Sequence, residues 1–540
     1  MSGHEQCLQP FQLIERPSDE TLRAILRSTP FVPYGAEAEA IQDDIADAKS
    51  ELERLQDYIA DAKSELERLQ GGIALAMGVR QLKSQCRLIQ SYIKLRGAIF
   101  APIRQLPTEI LLEIFLIASP SVSITATAGT PWKLGYVCGR WRDIVLSSPK
   151  LWSCISLGFP DEQISKRRGV QACNLLKLCL AHSGEHPLSI RLWAHCKANL
   201  EITRDLVKIA LQVQNRWKNL RYISENWDQI HNSDALLPRT LILPMLQRLE
   251  FDPPRHFKLS IVSPRLESLE LTSCSTLSVR SLTQAWPRIT HLTLRLYSRI
   301  HPDDFARTLL QLPELLELNI LDLHRKNSPS IPVHLDRLLI LKTALENPII
   351  GNLTTPNLRT LLVRSEFNTP ESSESFSGGQ IIVDLVQRSH CSIFRLILSS
   401  WHLPIRDFLG IVGVTPNVER LDLLIKQRKE LWEHLMYKED LTLLPRLYTL
   451  NLDRVLPSEC RDVVHVVKSR AAPPSNLEGH GSSPGRLRNL SLRYPHVKKN
   501  KARLEIQYLD QLRGFGGLKV EFYDEPCLAI DQVRPGLVTF

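Results

Sequence analysis

Gly481, Ser483 and Gly485 spell G-x-S-x-G, the spacing of a hydrolase nucleophile elbow. That elbow needs a strand running into a helix, with the amide after the serine donating to the oxyanion. Pro484 follows Ser483 and has no amide hydrogen, and PPSNLEGHGSSPG at 473–485 has a loop composition, so no nucleophile is expected there. Cys173, Cys179, His182, His186, His195 and Cys196 are the residue types that bind zinc. Zinc sites pair their ligands in tight knuckles such as C-x2-C, and no such pair occurs. Cys179 lies among Leu175, Leu176, Leu178 and Leu180, where a buried thiol is the simpler reading. The chain has no P-loop, no H-E-x-x-H and no strand-linked G-x-G-x-x-G. No catalytic residue, metal site or cofactor is expected, and any catalysis belongs to a partner.

Arg486, Arg488, Arg493, Lys498, Lys499, Lys501 and Arg503 form a basic run without an acid. Such a run binds an acidic segment, RNA or an import receptor, or is simply a solvated face; the second reading is preferred and nucleic acid is not expected as a partner.

The residue order from 106 to 152 asks for a different chemistry, the burial of apolar surface. In LPTEILLEIFLIA, Pro107 suits the first turn of a helix, and Glu109 complements the positive helix start. Ile110, Leu111, Leu112, Ile114, Phe115, Leu116 and Ile117 then leave Glu113 as the only polar residue, which spreads apolar surface nearly all round the helix. From Pro131, Leu134, Val137, Cys138, Trp141, Ile144 and Val145 fall at helical spacing, with Gly135 able to split the segment. Pro149 stops it, and Leu151 and Trp152 follow. A plain helical hairpin closing a core is the alternative to a docking element.

This order resembles the F-box, a three-helix module that docks on a Skp-type adaptor in cullin-based ubiquitin ligases. The resemblance rests on Leu106, Pro107, Glu109, Ile110, Leu111, Ile114, Phe115, Val137, Cys138, Trp141, Arg142, Pro149, Leu151 and Trp152, and departs from the family in the long loop at 119–130. Ile103 and Arg104 complete an IRxLPxEIL start that resembles the agaric-type basidiomycete members of the family. The resemblance implies adaptor contacts from Leu106, Pro107, Ile110, Leu111, Ile114, Phe115, Val137, Cys138, Trp141, Ile144, Leu151 and Trp152. It further implies a non-catalytic receptor that holds an unknown protein substrate for the ligase core. A scaffold assembled through the preceding helices is the competing reading.

Ahead of this module, IADAKSELERLQ at 45–56 recurs at 59–70, a spacing of two heptads. Ile45, Leu52, Ile59 and Leu66 recur every seven positions, with Ala48, Leu55, Ala62 and Leu69 between them. After Gly71 and Gly72 the spacing resumes through Leu75, Val79, Leu82, Cys86, Ile89 and Ile93. This is a coiled-coil seam. It serves either self-association through 41–96 or a helical pair within one chain.

Behind the module, 175–193 reads as helix, polar turn and strand, and from about 217 a phrase of the form L-x-x-L-x-L recurs. Examples are MLQRLEF ending at Phe251, PRLESLEL at 264–271, PRITHLTL at 287–294, PELLELNI at 313–320, PNLRTLLV at 356–363, PNVERLDL at 416–423, PRLYTLNL at 445–452 and GRLRNLSL at 485–492. This is the pattern of leucine-rich repeats, each supplying one strand and a return segment; a parallel α/β sheet reads the same way. The inserts at 367–379 and 473–485 are expected as mobile loops.

The expected architecture is therefore α/β overall. An irregular tail occupies 1–40, a coiled coil or helical hairpin 41–99, an all-α three-helix module 100–157, an irregular repeat solenoid 158–530, and a short tail 531–540. At 540 residues the chain is long enough for roughly two to four domains. Its 43% hydrophobic and 23% charged residues describe an ordinary globular composition. No apolar run reaches the roughly 18 residues of a membrane span, and the first residues lack the pattern of a signal peptide. The expected location is cytoplasm or nucleus, where the eleven cysteines stay reduced and the sequons at Asn352 and Asn489 stay unused. A net charge of +9 spread over this length is weak evidence for an acidic partner.

Overall fold

The computed structural model describes residues 34–523, with Glu20, Arg23 and Leu26 before them. It leaves out 69–72, 120, 125–130, 159–165, 195–199, 225–239, 252–259, 273–287, 296–301, 322–328, 346, 366–377, 401–402, 426–430, 438–442, 454, 456–458, 472–486, 494–511 and 513–517. The fold is mixed α/β with a large parallel sheet, and it divides into two units. The first comprises 1–157 and 165–188, the second 158–164 and 189–540.

The first unit opens with two long helices, α1 (Ala36–Arg68) and α2 (Ile73–Gly97). Glu37 and Glu39 favour the start of α1, and Lys94 and Arg96 the end of α2, through the helix dipole. The heptad positions Ala48, Leu55 and Ile59 pack in one cluster with Val79, Leu82, Cys86, Ile89 and Tyr92 of α2, with Leu52 and Ala62 at its edge. The seam predicted from the repeat is thus filled by the chain's own second helix. Leu66, Leu69 and Leu75 lie where side chains are outside the described residues.

Next come α3 (Thr108–Ala118), α4 (Trp132–Gly135) and α5 (Gly139–Ser147). Pro107 takes the cap position of α3 rather than a place inside it, and Gly135 closes α4, splitting the predicted second helix in two. Cys138 is extended at the cap of α5, so it leaves the helical spacing assigned to it. The long loop after α3 carries a strand, β1 (Val122–Ser123), parallel to β2 (Cys154–Gly158), with Val122 opposite Ile155. Helix α6 (Lys166–His182) belongs to this unit and not to the region after 158, because His182 stacks on Trp152 at 4.9 Å. Cys179 is buried on α6 beside Leu176, as its leucine surroundings imply.

In the second unit, strands follow one another through the sheet in chain order: β3 (Leu188–Ala194), β4 (Trp217–Ser224), β6 (Arg248–Phe251), β8 (Ser268–Thr272), β9 (His291–Arg295), β10 (Glu317–Ile320), β12 (Ile340–Ala344), β14 (Thr360–Ser365), β15 (Arg395–Ser400), β16 (Arg420–Ile425), β17 (Thr449–Leu452), β18 (Asn489–Arg493) and β19 (Lys519–Tyr523). Two short parallel pairs, β5 (Thr240–Ile242) with β7 (Ser260–Val262) and β11 (Val333–His334) with β13 (Leu353–Thr354), accompany it. Each recurring phrase whose residues are described ends on one of these strands. The middle leucine of the phrase is in register from strand to strand: Leu249, Leu269, Leu292, Leu318, Leu341, Leu361, Leu396, Leu421, Leu450 and Leu490 form one buried row. Side chains alternate across a strand, so the residues on either side of that row face outward.

Among the described residues the return segments include the helices α7 (Leu200–Leu211), α8 (Pro302–Leu309), α9 (Gly378–Ser389), α10 (Ile405–Gly413), the short α11 (Leu431–Leu435) and α12 (Cys460–Ala471). Gly378 and Gly379, expected in a loop, instead open α9. A Cβ on Gly379 would come within 2.6 Å of Asp407 Oδ1 on α10, so this approach of the two helices requires glycine. Arg388 at the end of α9 donates to the carbonyls of Ile350 and Leu353, and Arg470 at the end of α12 donates to those of Leu435, Leu443 and Leu444. These arginines donate to carbonyls at the ends of neighbouring elements.

Candidate functional site

Helix α3 begins where the chain is tied down from two sides. Arg140, at the start of α5, sends Nη2 to the carbonyl of Leu106 at 2.7 Å and Nη1 to that of Arg104 at 2.9 Å. A planar guanidinium with a fixed fork suits two carbonyls two residues apart, where an ammonium would reach one. Arg104 in turn donates to the carbonyl of Leu26 at 3.2 Å. Burial holds the Arg104 guanidinium below its ordinary value, Cys138 opposes the shift, and the like charge of Arg140 reinforces it. The turn containing Leu106 and Pro107 is therefore fixed by long-range contacts as well as by proline.

The twelve residues that the resemblance implies for adaptor contact separate into two sets. Leu111, Phe115, Ile144, Leu151 and Trp152 are buried within the unit. Phe115 packs on Trp141 at 4.7 Å, and Trp152 meets Trp132 edge-on at 4.8 Å while donating its indole N–H to the carbonyl of Val145 at 2.7 Å. These five side chains face the module's own interior and cannot meet a partner directly. Leu106, Cys138 and Trp141 are half-buried, and Pro107 is exposed.

The outward set is apolar. Ile110 is 49% exposed, Ile114 38% and Ile117 81%, and their spacing of four and three residues puts them on one face of α3. The turn after α4 exposes Tyr136 and Val137, at 77% and 60%. An exposed row of β-branched aliphatic side chains on a rigid helix is surface that binding would remove from water. Ile117, Tyr136 and Arg140 were absent from the expected set. Ile117 was visible in the apolar run, whereas the role of Arg140 depends on contacts more than thirty residues away.

The outward rows of the sheet carry ion pairs. On β4 to β10 and the residues just before them, Lys218, Arg221, Arg248 and Arg295 stand against Glu250, Glu267, Glu270 and Glu317. Arg221 pairs with Glu250 at 2.8 Å, Arg295 with Glu270 at 3.4 Å, and Lys342 with Glu317 at 2.6 Å. Burial pushes the Glu250 carboxyl up, Glu270 beside it adds to the shift, and Arg221 and Arg295 oppose it.

Further along, Asp422 on β16 is buried and accepts Nε and Nη2 of Arg395 on its Oδ2 at 2.9 and 2.7 Å. Its Oδ1 accepts Nε of Arg420 at 3.2 Å and the side-chain amide of Asn451. Leu362 and Ile397 continue the same row and are nearly buried, so Asp422 is dry on that side.

Among the described residues no group of three or more His, Cys, Asp or Glu side chains could hold a metal ion, and no helix is long and apolar enough to cross a membrane. His195, Cys196, the 481–485 segment and the part of the basic run from 494 onward lie outside the described residues. Asn352 and Asn489 spend their side-chain amides on the carbonyl of Pro329 and the hydroxyl of Thr449. No family model matches this chain, and no curated protein matches it either.

Proposed function

We propose that this chain is the substrate-recognition subunit of a Skp–cullin–F-box type ubiquitin ligase, with α3 to α5 as an F-box module of the agaric-type fungal family. The observation that carries the reading is the exposed apolar row Ile110, Ile114 and Ile117 directly after a Leu106–Pro107 turn that Arg140 holds in place. A few large aliphatic side chains on a fixed helix supply most of the binding energy in such interfaces. The buried set Leu111, Phe115, Ile144, Leu151 and Trp152 serves docking by holding the helices rather than by contact.

In this reading the sheet and its return helices are an irregular leucine-rich-repeat-like array that binds the protein to be modified, in cytoplasm or nucleus. The chain supplies no catalytic group, and transfer is the work of the ligase core. The heptad seam is occupied by α2, which favours the receptor over a scaffold assembled through a stalk. Co-precipitation with a Skp-type adaptor tests the proposal. Recovery of the adaptor by the wild type and its loss with Leu106→Ala/Pro107→Ala is the expected result; no recovery by the wild type sinks it.

A further inference from the structure

We propose that the outward face of β14 to β18 binds an acidic, carboxylate-rich peptide segment, and that Arg395 and Arg420 are its anchoring residues. Two arginines stand side by side in one register row on adjacent strands, at the roughly 4.8 Å spacing of neighbouring strands. Both are aimed by a single carboxylate. Asp422 takes Nε and Nη2 of Arg395, Nε of Arg420 and the amide of Asn451, so its two oxygens are filled.

A guanidinium has five N–H donors, and this arrangement uses two of Arg395 and one of Arg420. The side chains are 36% and 44% exposed while that of Asp422 is 10% exposed. Donors therefore remain at the surface, held in a fixed fork and in excess over the carboxylate that orients them. An incoming carboxylate meets preorganised arginines and loses little rotamer entropy from them.

Charge along the sheet selects this end. With the residue before each strand included, β14 to β18 present Arg359, Arg364, Arg395, Arg420 and Arg488 against Glu419 and Asp422, five cations to two acids among the described side chains. The corresponding outward positions of β4 to β10 hold four cations, Lys218, Arg221, Arg248 and Arg295, against four glutamates. An acidic segment is drawn to the later strands in preference to the earlier ones, whose charges balance. A polynucleotide is a poorer match, since a net charge of +3 neutralises few phosphates and Glu419 lies between Phe394 and Tyr448 in the ladder. Those two aromatic residues, 37% and 39% exposed, give a peptide apolar contacts beside the arginines.

This inference names a partner class for the receptor reading and rests on it only for biological purpose; binding itself is independent of adaptor docking. The test uses the full chain and a fluorescein-labelled peptide of alternating glutamate and leucine, read by anisotropy. The expected result is binding that weakens with salt, falls about tenfold or more when glutamine replaces glutamate, and falls similarly in Arg395→Gln/Arg420→Gln. Because that variant leaves Asp422 buried without its arginine partners, Arg395→Gln/Asp422→Asn/Arg420→Gln is measured beside it, and the same loss is expected. Equal binding of the two peptides, wild-type binding by the triple variant, or binding of only a phosphoserine peptide or only single-stranded RNA overturns the proposal. Adaptor binding by the triple variant, measured in parallel, stays at the wild-type level, so failure here is distinct from failure of the docking proposal.

Discussion

Arg140 donates to the carbonyl of Leu106 across a separation of 34 residues, at 2.7 Å, and thereby fixes the turn from which α3 departs. Arg140→Ala removes two charge-assisted hydrogen bonds from half-buried carbonyls. Denaturant unfolding of the variant is expected to show a loss of about 1–3 kcal/mol in the first unit, and Arg140→Lys recovers less than half because one ammonium cannot serve both acceptors.

Buried and exposed members of the module respond in opposite ways. Phe115→Ala empties a site against Trp141 and is expected to cost about 3–5 kcal/mol by chemical denaturation. Ile117→Ser, at a position 81% exposed, stays within about 0.5 kcal/mol of the wild type. Equal losses in the two variants contradict the division into packing and docking residues.

Arg470 spends its guanidinium on three backbone carbonyls while burial pushes its pKa down to about 10, still well above neutrality. Arg470→Met fills the space but removes all three arginine hydrogen bonds, leaving the Leu444 carbonyl only the backbone N–H of Leu447. A drop in stability of about 3 kcal/mol or more in the second unit is expected, read as a shift of its unfolding midpoint.

Burial pushes the Cys179 thiol up from 9.0 to about 12. The folded chain then keeps a proton that the unfolded chain loses first, so this stabilisation is complete below pH about 9 and disappears as pH rises toward about 12. The steepness of the stability curve over that window is expected to flatten in Cys179→Ala. Alkylation at pH about 9 is expected to spare Cys179 in the native chain and modify it in denaturant.

Local patterns made the sheet legible before any coordinates: a leucine spaced to fall on the same side of every strand makes a row such as Leu396, Leu421 and Leu450. The same holds for the hairpin seam and for α3. Arg140, Arg388, Arg470 and Asp422 were not legible, because each acts on partners 26 to 38 residues away, and nothing in a short window distinguishes them from surface charges. Periodicity also could not say which apolar residues of an all-round apolar helix face inward. Packing against Trp141 decides it for Phe115, and absence of cover leaves Ile114 outward.

The most direct measurement is calorimetric titration of the full chain with a purified Skp-type adaptor, comparing the wild type with Ile110→Asp/Ile114→Asp. The expected outcome is saturable one-to-one binding by the wild type and a loss of about a hundredfold in the variant, with unchanged thermal unfolding. No heat of binding with the wild type, or equal affinity for both, contradicts docking through this face.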